Sequence, residues 1–316
     1  MDPMVAVEDV VKSFTVGAGP RRRRIAALEG VSFALAPGEF AAYLGPNGAG
    51  KSTTVKILTG ILHPDAGRIA VCGYCPQRQR VEVARRIGAV FGQRTQLWWD
   101  LPVRDSYELL AAMYGVPDAL ARQRLRDLDD VLGLGPLLQT PVRQLSLGQR
   151  MRADLAGALL HAPRVLLLDE PTVGLDLVAR EAVRGFLRQM NLGGTTVLLT
   201  THDMGDVERL CQRVLVLGSG RLVYDGPTER LRAAAGLPTV ATVEFEGHPT
   251  GLQAGPLGPG CTVLGVQAAV AEVAFDRAGI GVGQVLARLD AFGPVSDVRL
   301  SEPDLEAVVR RLYAAT

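Results

Sequence analysis

Apolar residues along most of the chain come as short unbroken runs set between helical periods. Glu39-Phe40-Ala41-Ala42-Tyr43-Leu44, Ile87 to Phe91, Val165 to Leu168, Thr196 to Thr201 and Val214 to Gly218 are runs of this kind. A continuous apolar run bounded by turn residues predicts a parallel strand buried on both faces. Between them, Ser52 to Leu62 carries Val55, Leu58 and Leu62 at helical spacing, and Leu177 to Met190 reads as a second helix. Strand–helix alternation predicts a mostly parallel sheet covered by helices. From Leu101 to about Leu160 the period turns helical. Tyr107, Leu110 and Tyr114 share one face and Leu125, Leu128 and Leu132 another, with breaks at Pro117 and at Gly133 to Pro136. The pattern predicts an α/β core with a helical subdomain over about 101–160.

The alternation ends near Arg221 to Pro227, where a helix from Thr228 to Ala235 leads out. Residues 239–316 then read as a separate small α+β domain beside a main domain of residues 1–236. Val240 to Phe245 alternates as a strand, Gly247 to Gly260 is a Pro/Gly-rich loop, and Val263 to Val266 and Val270 to Phe275 are strands. Val282, Val285, Leu286, Leu289 and Phe292 line a helical face, and Val295 to Leu300 alternates again. Ser301-Glu302-Pro303-Asp304 offers a capping box before a last helix with Leu305, Val308, Val309 and Leu312. This domain contains no triad, metal cluster or phosphate loop.

The segment Gly45-Pro46-Asn47-Gly48-Ala49-Gly50-Lys51-Ser52-Thr53 fits the phosphate-binding pattern G-x-x-x-x-G-K-[S/T], and it joins an apolar strand to a helix. Glycines let successive backbone N–H groups and the helix start converge on phosphate oxygens. Lys51 is placed to neutralise the β- and γ-phosphates, and the Ser52 hydroxyl to coordinate Mg²⁺. The run Val165 to Leu168 ends in Asp169 and Glu170, at the strand end where open α/β sheets hold their ligands. Asp169 suits Mg²⁺, and Glu170 can accept a proton from an attacking water. Alone, such an acidic pair also reads as a strand-ending turn; beside the phosphate loop it reads as chemistry.

Leu145-Ser146-Leu147-Gly148-Gln149 precedes a helix with Met151, Leu155, Ala158 and Leu159 on one face. With the phosphate loop and the Asp-Glu strand, it resembles the ATP-binding subunit of ATP-binding cassette (ABC) transporters, whose signature is L-S-G-G-Q. Leu147 stands where that family has its first glycine. The resemblance implies a P-loop NTPase core of the ABC ATPase type, with ATP and Mg²⁺ bound. It implies that Ser146, Gly148 and Gln149 cap the γ-phosphate of ATP held by a second copy. Gln93, after an apparent one-residue insertion at Gly92, matches the glutamine that reaches Mg²⁺ and the attacking water. Gly174-Leu175-Asp176 matches the segment coupling the two sites, and Asp176 is assigned to ATP binding. His202 matches the histidine on the γ-phosphate, and Phe14 the aromatic that stacks on adenine. Each single residue has a blander reading as a core or surface side chain; their order from Phe14 to His202 is what distinguishes them. Residues 239–316 resemble the C-terminal extension of exporter-type cassettes, including drug and sodium efflux ATPases, most clearly at Asp297 to Glu306.

A net charge of +1 over 316 residues, with no sustained basic stripe, argues against nucleic acid as partner. Arg21 to Arg24 reads as an exposed hairpin tip. No apolar stretch approaches the ~20 residues that cross a bilayer, and no secretory signal is apparent. The expected membrane partner is therefore a separate transmembrane permease, with this chain on the cytoplasmic face. Four cysteines make no disulfide scaffold, and Cys72-Gly73-Tyr74-Cys75 reads as a fortuitous pair. Trp98 and Trp99 stand together in a chain with 5% aromatic residues, which fits a permease contact or a plug beneath the helical subdomain. The expectation is a head-to-tail dimer with ATP sandwiched at its two sites, hydrolysing ATP to drive an exporter. An importer ATPase, or a soluble non-transport ABC ATPase, is the alternative. The latter would typically carry tandem cassettes or a long coiled coil, and neither is in the sequence.

Overall fold

The computed structural model describes residues 2–17, 22–92, 94–277 and 279–314. It divides into two compact units, Met1–Thr228 and Glu229–Ala315.

The first unit runs β1 (Val5–Val16), β2 (Arg23–Leu35), β3 (Phe40–Leu44), α1 (Lys51–Leu58), β4 (Ala66–Val71), α2 (Arg80–Ala84) and β5 (Ile87–Phe91). Then come α3 (Val103–Tyr114), α4 (Asp118–Leu132), α5 (Leu147–Leu159), β6 (Val165–Asp169), α6 (Leu177–Leu192), β7 (Thr196–Thr200), α7 (Met204–Leu210), β8 (Arg213–Gly218) and β9 (Arg221–Pro227). Two sheets form. One is antiparallel with order β2-β1-β4; the other has order β5-β6-β7-β3-β8-β9, parallel except for the edge strand β9. The apolar runs behave as their composition requires: every residue of Val165–Leu168 and of Val197–Leu199 is fully buried. Val5, Leu28, Val31 and Leu35 of the antiparallel sheet join one core with Val55 and Leu58 of α1 and with Leu167, Leu198 and Leu215 of the parallel sheet. That packing fixes α1, and with it the phosphate loop, between the sheets.

The helical segment is α3 to α5, tied together by polar contacts between the helices. The Tyr107 hydroxyl donates to the Ala153 carbonyl at 3.0 Å, and the Arg152 guanidinium to the Leu132 carbonyl at 2.8 Å. Trp98 and Trp99 are 38% and 49% exposed, with Arg150 over the Trp99 ring at 5.3 Å, so they are not a buried plug. Of the arginine run, Arg21 lies outside the described residues and Arg22 to Arg24 are exposed where β2 begins.

The second unit opens in α8 (Thr228–Ala234) and continues β10 (Thr239–Phe245), β11 (Gly255–Gly258), β12 (Cys261–Gln267), β13 (Val270–Phe275), α9 (Val282–Leu289), β14 (Val295–Ser301) and α10 (Leu305–Ala314). Its five strands form one antiparallel sheet, β11-β12-β13-β10-β14. Ala241, Val243, Val263, Val273, Phe275, Val285 and Leu289 build its own core. Glu302 binds Arg277 at 2.8 Å and lies 3.7 Å from Arg232.

Three local expectations need correction. The helix from Ser52 ends at Leu58, four residues early, because Thr59-Gly60 turns the chain. The Pro/Gly-rich stretch before Cys261 holds a short edge strand, β11, which proline tolerates at a sheet edge. Ser301 ends β14 rather than capping α10; Asp304 stands at that helix start instead. All four cysteines are free thiols, Cys72 and Cys75 half-buried and Cys211 and Cys261 buried.

Candidate functional site

Three parallel strands deliver the site, because β3, β7 and β6 lie side by side and all end at the same sheet edge. After β3 the chain turns through Gly48 (φ 84°) and Gly50 (φ 111°), a left-handed path that suits glycine, and enters α1 at Lys51. Lys51 is 7% exposed, and its ammonium donates to the Gly45 and Pro46 carbonyls. Burial pulls its pKa below the ordinary lysine value, while the charges of Glu170 and Asp169 pull the other way. A cation held under the loop beside two carboxylates is positioned for an anion above it.

Asp169 closes β6. The Ser52 hydroxyl donates to one of its oxygens at 3.0 Å, and the Thr200 hydroxyl at the end of the intervening β7 donates to the other. The next residue, Glu170, has φ 56°, a left-handed conformation that strains a non-glycine residue by roughly 1–3 kcal/mol. Its carboxylate meets His202 Nε2 at 2.8 Å. Asn47, Ser52, Asp169, Glu170 and His202 thus wall one open cleft, and Lys51 lines its extension along the loop. Gly92 packs against the same strand end. Its N–H donates to the Asp169 carbonyl at 2.8 Å, and a Cβ there would sit 2.7 Å from that oxygen. The apparent insertion thus sits at a close backbone approach to β6. Gln93 itself lies outside the described residues.

The other candidates stand apart from that cleft. Ser146 caps α5 in a reciprocal box with Gln149: Gln149 N–H donates to Ser146 Oγ at 3.2 Å, and Ser146 N–H to Gln149 Oε1 at 2.9 Å. Ser146 is exposed and Gly148 half-buried, at a helix start that faces out of the chain. Asp176 caps α6 by accepting from Ala179 N–H at 2.7 Å. Phe14 projects from β1, 37% exposed, with Lys12 Nζ 5.7 Å from its ring centre. Of the loop residues, by contrast, Thr53 is half-buried and lines the extension of the cleft beside Lys51, and Ala49 is buried.

Sequence reasoning missed the polar groups behind the cleft. Thr200 anchors Asp169, and Asp206, fully buried, gathers three side chains. It accepts from Thr172 Oγ at 2.6 Å, from Thr201 Oγ at 3.1 Å and from Arg184 Nε at 2.6 Å. Two threonines ending an otherwise apolar strand were the available signal. Among the described residues no group of three or more His, Cys, Asp or Glu could hold a metal by itself. An octahedral, oxygen-seeking Mg²⁺ that keeps most of its waters needs fewer protein ligands, and the Ser52 and Asp169 oxygens fit one.

Comparison with known proteins agrees with this geometry. Residues 28–173 match the family model described as ABC transporter. The daunorubicin resistance ATP-binding protein DrrA3 of Streptomyces coeruleorubidus is 37% identical over 94% of this chain and 94% of its own length. Nod factor export ATP-binding protein I of Burkholderia pseudomallei is 42% identical, over 65% of this chain and 67% of its own. Among solved structures, a dimeric ATP-binding cassette in a post-hydrolysis state bound to ADP and Pi superposes with TM-score 0.64 at 28% identity, covering 71% of this chain and 98% of that one.

Proposed function

Because this chain belongs to the ATP-binding subunits of ABC transporters and is an ATP hydrolase, we propose that it powers an exporter, through a separate transmembrane permease at the cytoplasmic face of the membrane. Relatives named for drug resistance and for Nod factor export support the direction of transport. No helix among the described residues is long and apolar enough to cross a membrane, which fits a permease on another chain. The exposed Trp98 and Trp99 are the proposed contact with it.

The observation that carries the catalytic reading is the convergence of Lys51, Ser52, Asp169, Glu170 and His202 on one cleft. The loop N–H groups and Lys51 hold the β- and γ-phosphates of ATP, with adenine on Phe14. Ser52 and Asp169, joined by Gln93, would hold Mg²⁺. When bound, Mg²⁺ offsets the negative charge that hydrolysis redistributes over the phosphates. Glu170 accepts the proton of a water whose oxygen bonds to the γ-phosphorus as the bond to the β-bridging oxygen breaks, releasing ADP and phosphate. His202, held 2.8 Å from Glu170, orients toward the γ-phosphate.

Ser146, Gly148 and Gln149 complete the site of a second copy, head to tail, and Asp176 lies in the segment between the two sites. ATP then favours the closed dimer through the contacts of its γ-phosphate, and hydrolysis removes them. Residues 239–316, which carry no such cluster, hold subunits together or regulate them. Glu170→Gln tests this reading. It should keep ATP binding, lose roughly 10²–10⁴-fold in hydrolysis, and shift to a dimer with ATP in light-scattering measurements. Near-normal turnover would remove Glu170 from its role.

A further inference from the structure

We infer that Asp154 is a positioning residue that staples the segment after Gln93 to the signature helix α5, so that the two parts of the ATP machinery move as one body. The inference rests on the roles proposed above for Gln93 and Ser146.

Asp154 lies two turns into α5 from Ser146 and is 6% exposed, between the fully buried Ala153 and Leu155. Burial pushes its carboxyl up to about 6, against the pull of Thr95, Gln96 and Arg150. A site needing only packing would take an apolar side chain, because a buried carboxylate is unfavourable unless its oxygens are paired. Here the pairing is all to one short stretch of chain. Thr95 Oγ donates to Asp154 Oδ1 at 2.7 Å, and Gln96 N–H donates to the same oxygen at 3.0 Å. Gln96 Nε2 reaches back to the Asp154 carbonyl at 2.8 Å, and Leu97 N–H donates to Thr95 Oγ at 3.1 Å. Leu97 then seals the contact, 4% exposed, facing the Cβ-less Gly157 one turn further along α5.

The other end of that stretch is bound to the catalytic strands. Arg94 N–H donates to the Phe91 carbonyl at 2.6 Å, and Phe91 pairs with Asp169 across β5 and β6. Only Gly92, Gln93 and Arg94 therefore separate β5, which pairs with the Asp169 strand, from the staple. With Ser146 at the start of the same helix, Asp154 links what reaches the metal side of one ATP to what reaches the phosphate of the other. A carboxylate does this better than a hydroxyl, since its negative charge strengthens both bonds that Oδ1 accepts.

The test uses the full-length chain with Asp154→Ala, Asp154→Asn, Thr95→Val and the double variant Asp154→Ala/Thr95→Val. Without nucleotide, Asp154→Ala should speed amide hydrogen exchange at Gln96 and Leu97 roughly 10- to 100-fold, the factor that a hydrogen bond to a charged acceptor carries. Exchange in the phosphate loop should stay unchanged. Its ATP dissociation constant should stay near wild type while kcat falls about tenfold or more, the split expected when positioning rather than binding is lost. Asp154→Asn keeps an oxygen acceptor and should recover most of kcat. The double variant should be no worse than Asp154→Ala alone, because both remove one contact.

Equal losses of ATP affinity and kcat, additive losses in the double variant, or faster exchange with full turnover would each overturn the inference. Gln93→Ala separates the two readings. Full turnover there refutes the assignment of Gln93, whereas the staple itself is read by exchange without any turnover.

Discussion

Asp206→Ala tests how far the reactive loops depend on the buried network behind them. In the folded chain Asp206 is fully buried and accepts from Thr172, Thr201 and Arg184, whose own side chain is 8% exposed. Removing the carboxylate leaves a buried guanidinium and two hydroxyls short of an acceptor. Breaking a buried pair from one side costs about 3–5 kcal/mol. Arg184 keeps Glu181 at 2.7 Å and Asp203 at 3.4 Å, so the low end, about 3 kcal/mol, is expected. For a unit of this size each kcal/mol moves Tm by about 2–4 °C, so the expected fall is roughly 6–12 °C. Both tryptophans of the chain, Trp98 and Trp99, belong to the first unit, so intrinsic tryptophan emission during heating reports that unit alone. Asp206→Ala/Arg184→Met, which removes the stranded cation too, should melt higher than Asp206→Ala. A fall under about 2 °C, or a double variant less stable than the single, would refute the reasoning, since the cost would not come from a buried charge that lost its buried partner. ATP turnover should fall with stability, because Thr201 precedes His202 and Thr172 precedes Gly174 to Asp176.

Two further outcomes follow from the geometry. In a background free of Cys72, Cys75, Cys211 and Cys261 and carrying Glu170→Gln, Asn47→Cys and Ser146→Cys should cross-link between chains only with ATP, as seen on non-reducing gels; cross-links within one chain would contradict a head-to-tail sandwich. Gly174 has φ 74°, and a Cβ there would lie 2.2 Å from Leu147 Cδ2. Gly174→Ala should therefore lower the urea midpoint by the equivalent of about 1–2 kcal/mol of backbone strain plus the overlap, and Leu147→Ala in the same chain should recover only the overlap. A wild-type midpoint for Gly174→Ala would show that this loop opens freely.

The residues proposed to touch nucleotide are legible because their chemistry is local. A phosphate loop needs its glycines, lysine and serine in sequence, and Asp169 and Glu170 follow an apolar run that can only be a buried strand. Thr200, Asp154 and Asp206 were not legible for the opposite reason. Each works by meeting a partner distant in sequence: Thr200 meets Asp169, Asp154 meets Thr95, and Asp206 meets Thr172 and Arg184. A threonine at a strand end or an aspartate on a helix has no pattern until the fold supplies its neighbour. β11 was missed because its pairing to β12, not its Gly/Pro composition, makes it a strand.

Leu147 shows how a departure in one segment is resolved by another. Taken alone it breaks the signature, since a branched side chain replaces a glycine at a helix start that must stay open. In the structure its Cδ2 reaches over Gly174, 27 residues along the chain, where any Cβ would collide with it. A Leu147 that lies against the loop ahead of Asp176 leaves the Ser146 hydroxyl and the Gly148 backbone facing outward, with the reciprocal cap of Gln149 intact. The two positions therefore form one unit. Gly174 is required twice over, by its left-handed backbone and by the Leu147 side chain above it, and only joint replacement separates the two.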